Sequence, residues 1–104
     1  MRTTTPWGPA QSTEKHAEGI TFYSTAGHGG FKLSPARAAT VLAKFPGFTT
    51  WLGDSAWWEE DCDATLVVAT FPQYFPRYHD PVTLARLDAM AQRLYKDALT
   101  PATA

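Results

Sequence analysis

Two short strings hold most of the residues in this chain that could do chemistry. In Ser24-Thr25-Ala26-Gly27-His28-Gly29-Gly30 a single imidazole sits among three glycines. In Trp57-Trp58-Glu59-Glu60-Asp61-Cys62-Asp63 four carboxylates and a thiol follow two indoles. Glycine admits positive φ angles and close backbone approach, so Gly27, Gly29 and Gly30 could present N–H groups to a carboxylate or phosphate, with His28 as a titratable neighbour. No phosphate-loop Lys-Ser/Thr follows, and the preceding strand does not lead straight into a helix. A tight hairpin whose histidine bonds a neighbouring loop is the alternative.

The acidic string is equally double-edged. Carboxylates this close in sequence repel unless solvated, paired or metal-bound. Asp61-Cys62-Asp63 lacks the glycine and distal glutamate of a calcium loop. His16, His28, Cys62 and His79 show no zinc-ligand spacing, so neither a metal nor another cofactor is implied. The plainer role is a helix N-terminus that sets its acids against the dipole. Flanking acids should raise the Cys62 thiol pKa, the wrong direction for a nucleophile, so Cys62 reads as a small buried residue inert to thiol reagents. No Gly-x-Ser-x-Gly elbow is present. Arg37, a cation in a helix first turn, should gain from pairing with Glu59, Glu60 or Asp61.

The elements that must position these groups form an α+β pattern without repeats. Residues 1–15, with Pro6, Gly8 and Pro9 around Trp7, read as an extended N-terminal arm. Alternation from Gly19 to Ala26, the glycine turn and then Phe31-Lys32-Leu33 predict a hairpin around residues 19–33. Ser34-Pro35 is a helix start, and that helix should run to about Lys44 with Val41, Leu42 and Phe45 inward, stopping before Pro46-Gly47. A loop should follow over 46–56. Residues 57–71 carry conflicting patterns. Thr65, Val67 and Val68 favour strand, whereas the acids at 59–61 and the spacing of Trp58, Cys62, Leu66 and Ala69 favour helix; the reading leans to helix. Asp80-Pro81 caps the clearest element, a helix to about Leu99 with Leu84, Leu87, Met90, Ala91, Leu94 and Ala98 on its apolar face. Residues 100–104 read as a frayed tail. The expected fold is a small antiparallel sheet packed against two or three helices.

At 104 residues, 44% hydrophobic and 18% charged, the chain has the length and composition of one globular domain, 1–104. The N-terminus lacks the apolar core of a secretory signal, and no apolar run is long enough to span a membrane, so a cytoplasmic protein is expected. The single cysteine excludes an intrachain disulfide. The net charge of −1 hides an asymmetry: residues 45–76 contain Asp54, Glu59, Glu60, Asp61 and Asp63 but no lysine or arginine. A basic face for nucleic acid is not evident, which argues against direct nucleic-acid binding. The aromatics Trp51, Trp57, Trp58, Tyr74, Phe75 and Tyr78 are more than a domain of this size easily buries. Aromatic residues beside acids suit an interface hot spot.

The strings Thr5-Pro6-Trp7-Gly8-Pro9-Ala10, Ser24-Thr25 with His28-Gly29-Gly30 and Leu33-Ser34, Trp58-Glu59-Glu60-Asp61-Cys62, and Phe71-Pro72 resemble an uncharacterised domain family of proteobacterial plasmids, phages and larger mobile-element proteins. The likeness covers residues 5 to about 76. It carries over no catalytic role and implies only that the two chemical strings belong together. Small proteins of mobile elements often inhibit host defence, and by that analogy the partner expected is a host protein or protein complex. The leading expectation is a non-catalytic protein that binds and inhibits a host macromolecule, such as a CRISPR or restriction component. Trp57, Trp58, Glu59, Glu60 and Asp61 would form its binding face with support from His28. The alternative is a small-ligand or metal-binding domain, or an enzyme, using His28 with Glu59, Glu60 or Asp61. In a third reading His28 bonds the Glu59–Asp63 segment purely for stability.

Overall fold

A computed structural model describes residues 3–99; the residues read as a frayed tail, 100–104, lie outside the described residues. The fold is α+β, with two small antiparallel sheets and three α-helices. A minimal ribbon of β1 (Thr4–Thr5) and β2 (Gly8–Pro9) precedes a four-stranded sheet of order β3 (Ser12–Ala17), β4 (Ile20–Ser24), β5 (Gly29–Leu33), β6 (Trp57–Glu59). The expected extended arm therefore needs correction: residues 12–15 belong to an edge strand, paired from Ser12↔Ser24 to Lys15↔Thr21. Ser12, Thr13, Glu14 and Lys15 are all exposed, so this strand has no apolar alternation to announce it; backbone pairing with β4 forms it.

The hairpin of β4 and β5 forms as expected, but its turn lies earlier in the chain. Thr25 closes it, with its N–H donating to the His28 carbonyl at 2.7 Å and its Oγ1 accepting from the His28 N–H at 3.1 Å. Helix α1 (Pro35–Lys44) starts at Ser34, whose hydroxyl accepts from the Arg37 N–H at 3.3 Å, and buries Ala38 and Val41 against the sheet. The ambiguous segment resolves into both alternatives. Residues 57–59 are β6, paired as Phe31↔Trp58 and Gly30↔Glu59, and Asp63–Thr70 is α2. β-branched residues do not prevent this helix, because Leu66 and Val67 are fully buried and tertiary packing outweighs a propensity difference of a few tenths of a kcal/mol, about 0.7 at most per ordinary residue. The Lys44 ammonium donates to the Ala69 carbonyl at 2.9 Å and satisfies the end of α2.

Two short 3-10 turns, Pro72–Tyr74 and Pro76–His79, lead into α3 (Pro81–Leu99), whose first turn is capped by the Asp80 carboxylate accepting from the Thr83 N–H at 2.9 Å. Helix α2 packs against the sheet, α1 and α3. Its place at the centre explains why Ala64, Leu66, Val67 and Ala69 are buried around most of its circumference. The core centres on Trp58, Phe45, Ile20, Leu66, Val41 and Val67. Trp58 stacks on Phe48 at 5.7 Å between centroids and donates its indole N–H to the Ser55 carbonyl at 2.6 Å.

A candidate acid-lined cleft

Strand pairing brings the two chemical strings side by side. Besides the Gly30↔Glu59 register, the Glu60 N–H donates to the Gly29 carbonyl at 3.0 Å. The glycines make this approach possible by leaving space, and they do not form an anion nest. Gly27, Gly29 and Gly30 are not among the residues with positive φ, and Gly29 and Gly30 are buried strand residues. A Cβ at Gly30 would lie 2.5 Å from both the Trp58 carbonyl oxygen and the Trp7 ring. One at Gly29 would meet the Tyr23 carbonyl at 2.9 Å and the Glu60 carboxylate at 3.2 Å, a neighbour that repels an anion. His28, exposed at the end of the turn, makes its hydrogen bonds to Thr25 through the backbone. Among the described residues no hydrogen bond from its ring reaches the 59–63 segment, so the structural role read for that ring is absent.

The 57–63 string is divided by the strand it starts with. Alternation sends Trp58 into the core at 0% exposure, which removes it from any binding face. Trp57 goes to the opposite side, packed edge-on to Trp7 at 5.7 Å and against Tyr23 at 5.8 Å, with the Lys32 ammonium over its ring. It docks the N-terminal ribbon on the sheet. Glu59 is buried, while Glu60 and Asp61 are exposed.

Asp63, the first residue of α2, is only 3% exposed. Its Oδ2 accepts from the Trp51 N–H at 2.8 Å and from the Glu59 N–H at 3.4 Å, joining the 46–56 loop, β6 and α2 through one carboxylate. Burial raises its pKa, opposed by those two N–H donors. Burial also raises the pKa of Glu59, whose Oε2 accepts from the Asp61 N–H at 3.0 Å. Cys62 is exposed, correcting the buried position expected for it. Partial desolvation of the thiol and the charges of Glu59, Asp63 and Asp61 hold its pKa above the ordinary thiol value, which disfavours the nucleophilic thiolate.

These groups line one open cleft of about 640 Å³. Glu59, Asp61, Cys62 and Asp63 line it together with His28, Phe48 and Trp51, and with Leu94, Asp97 and Ala98 of α3. Trp51 is 74% exposed, the largest aromatic surface given to solvent among the described residues. Sequence reading missed Asp97 altogether. Its one signal was an acid in the last turn of a helix, where the dipole disfavours negative charge. Trp51 was noted only among the surplus aromatics.

Glu60 instead borders a different groove with Arg77 and Arg86. Arg37 does not pair with the acids: its Nε donates to the Glu18 carbonyl at 3.0 Å, its Nη2 to the Tyr74 hydroxyl at 3.4 Å, and its guanidinium lies 5.1 Å from both the Phe71 and Tyr74 rings. Arg37 instead ties α1 to the β3–β4 turn and the aromatic connector. No group of three or more histidine, cysteine, aspartate or glutamate side chains is arranged to hold a metal ion among the described residues. Among the same residues, no helix is long and apolar enough to cross a membrane.

Sheet, helices and cleft together define a small α+β domain whose two chemical strings are joined as strand neighbours at the edge of an acid-lined apolar cleft. The chain belongs to the DUF7007 family, a domain of unknown function whose family model matches residues 1–103. That match runs through α3, beyond the limit near residue 76 at which the resemblance was read from motifs. No curated protein and no solved structure matches the chain significantly.

Proposed function

We propose that the protein is a non-catalytic binding module whose acid-lined cleft receives a basic side chain of a macromolecular partner. The observation that carries this reading is the convergence of exposed Trp51 with Asp61 and Asp97 on one apolar cleft. An arginine or lysine entering there would lay its aliphatic stem on Phe48 and Leu94, its cation near the carboxylates, and its charge against the indole face. The binding face differs from the one expected from sequence: Trp51, Asp61 and Asp97 take the roles assigned to Trp57, Trp58 and Glu60. The resemblance to mobile-element proteins makes a restriction or CRISPR component inside the host cell the first partner to test, with inhibition as the outcome of binding.

Tagged wild-type protein and a Trp51→Ala/Asp97→Asn double variant should be used in parallel to capture partners from a proteobacterial lysate, followed by mass spectrometry. A stoichiometric protein retained by the wild type and lost by the variant is the expected result. Equal retention by both sinks the cleft as the binding site.

A second reading is supported by the same cleft: His28 lines it with Glu59 and Asp61, a combination suited to a small ligand or acid–base chemistry. Glu60 falls outside that set. A ligand-induced rise in melting temperature that disappears in His28→Ala would favour it.

A further inference from the structure

Beyond the acidic cleft, the other flank of α2 carries a groove of opposite character. Ala64, Thr65 and Val68 of α2 face Leu87 and Met90 of α3 across about 520 Å³, and Arg77 and Arg86 stand at its edges. Met90 is 53% exposed, so part of the apolar floor is open to solvent. Arg77 lies over the Tyr78 ring at 5.6 Å. Neither Arg77 nor Arg86 reaches a carboxylate at ion-pair distance among the described residues. Arginine is weakly hydrated and presents a planar fork matched to a carboxylate, and exposed methionine adapts its shape to an incoming side chain.

We propose that this groove is a second binding site, which takes an acidic–apolar segment of a protein partner. A carboxylate would bridge Arg77 and Arg86 while the neighbouring apolar residue covers Val68, Leu87 and Met90. Glu60, on the same rim, repels dense anions such as a nucleic-acid backbone and leaves room for single carboxylates spaced by apolar residues. The two faces of α2 thus select opposite charges, one on each side of the same helix.

The test is fluorescence anisotropy with the full-length chain and two short fluorescein-labelled peptides, one alternating glutamate with leucine and the other alternating lysine with leucine. The glutamate peptide should bind at low ionic strength. Arg77→Ala and Arg86→Ala should each weaken it about tenfold, the scale of one charge-assisted hydrogen bond partly screened by solvent. Met90→Asp should abolish its binding, and Arg93→Ala, an exposed cation outside the groove, should leave it unchanged. All four positions are exposed, so thermal melts should show intact folding. Failure of the glutamate peptide to bind, or binding indifferent to both arginines, overturns the proposal. So does concentration-dependent self-association of the protein that Arg86→Ala removes, since the groove would then belong to a second copy. Binding of the lysine peptide reads the acidic cleft separately, so the two sites stand or fall independently.

Discussion

Replacing Asp63 tests how the site is held together. Its buried carboxylate is the acceptor for two backbone donors from different parts of the chain, Trp51 at 2.8 Å and Glu59 at 3.4 Å. In Asp63→Ala both donors lose it. The Trp51 N–H, beside an exposed residue, can recover water, while the Glu59 N–H is buried but its bond is long. A buried donor left unpaired costs about 1–3 kcal/mol, so the combined loss should be about 2 kcal/mol. For a domain of this size that corresponds to a fall in melting temperature on the order of 10 °C. Asp63→Asn keeps a carbonyl acceptor and removes the buried charge, so its loss should stay within about 1 kcal/mol.

The pH dependence follows from the raised pKa values of Asp63 and Glu59. A carboxyl whose pKa is higher in the folded state binds protons more tightly there than in the unfolded chain. The resulting stabilisation is fully present below the unfolded carboxyl values of about 4 and is lost as pH rises through the raised folded values. Asp80 works in the opposite sense: Thr83 lowers its pKa, so its contribution is present above the ordinary value and lost as pH falls through the lowered one. Thermal and urea melts between neutral pH and pH 4 should therefore show wild-type protein gaining stability on acidification relative to Asp63→Asn. Equal melting of Asp63→Ala and wild type, or an identical pH profile in Asp63→Asn, refutes the account of this carboxylate.

Gly30→Ala should destabilise by about 1–3 kcal/mol, the usual range for overpacking, because its Cβ would meet the Trp58 backbone and the Trp7 ring; denaturant melts will show it. Cys62 should react with a thiol reagent in the folded protein, more slowly than free cysteine at neutral pH, and Glu59→Gln should speed it by removing a nearby charge. A folded protein that resists modification even under mildly alkaline conditions would contradict the exposure of this thiol. Arg37→Ala should cost about 1–2 kcal/mol through its two hydrogen bonds and its aromatic contacts, and Arg37→Lys should recover only part, since an ammonium lacks the planar fork; chemical denaturation distinguishes them.

The amino-acid sequence by itself determined the elements whose causes are local. Ser34-Pro35 starts α1, Asp80-Pro81 starts α3, and alternation between Ile20 and Leu33 builds the β4–β5 hairpin, because caps, proline φ and period-two patterning act within a few residues. It also marked both chemical strings. Only the tertiary structure decided what those strings do to each other. The polar strand Ser12–Ala17 has no hydrophobic pattern of its own and exists through pairing with β4. The 57–71 segment changes from strand to helix because β5 supplies the ladder for Trp57–Glu59, while α1, α3 and the sheet bury the faces of α2. That same pairing sends Trp58 inward, while Glu60 borders a different groove and the cleft that His28 lines also takes Asp97 from the end of α3. Which side of a strand faces the core is set by register, and register is a property of two strands, which no single stretch of sequence contains.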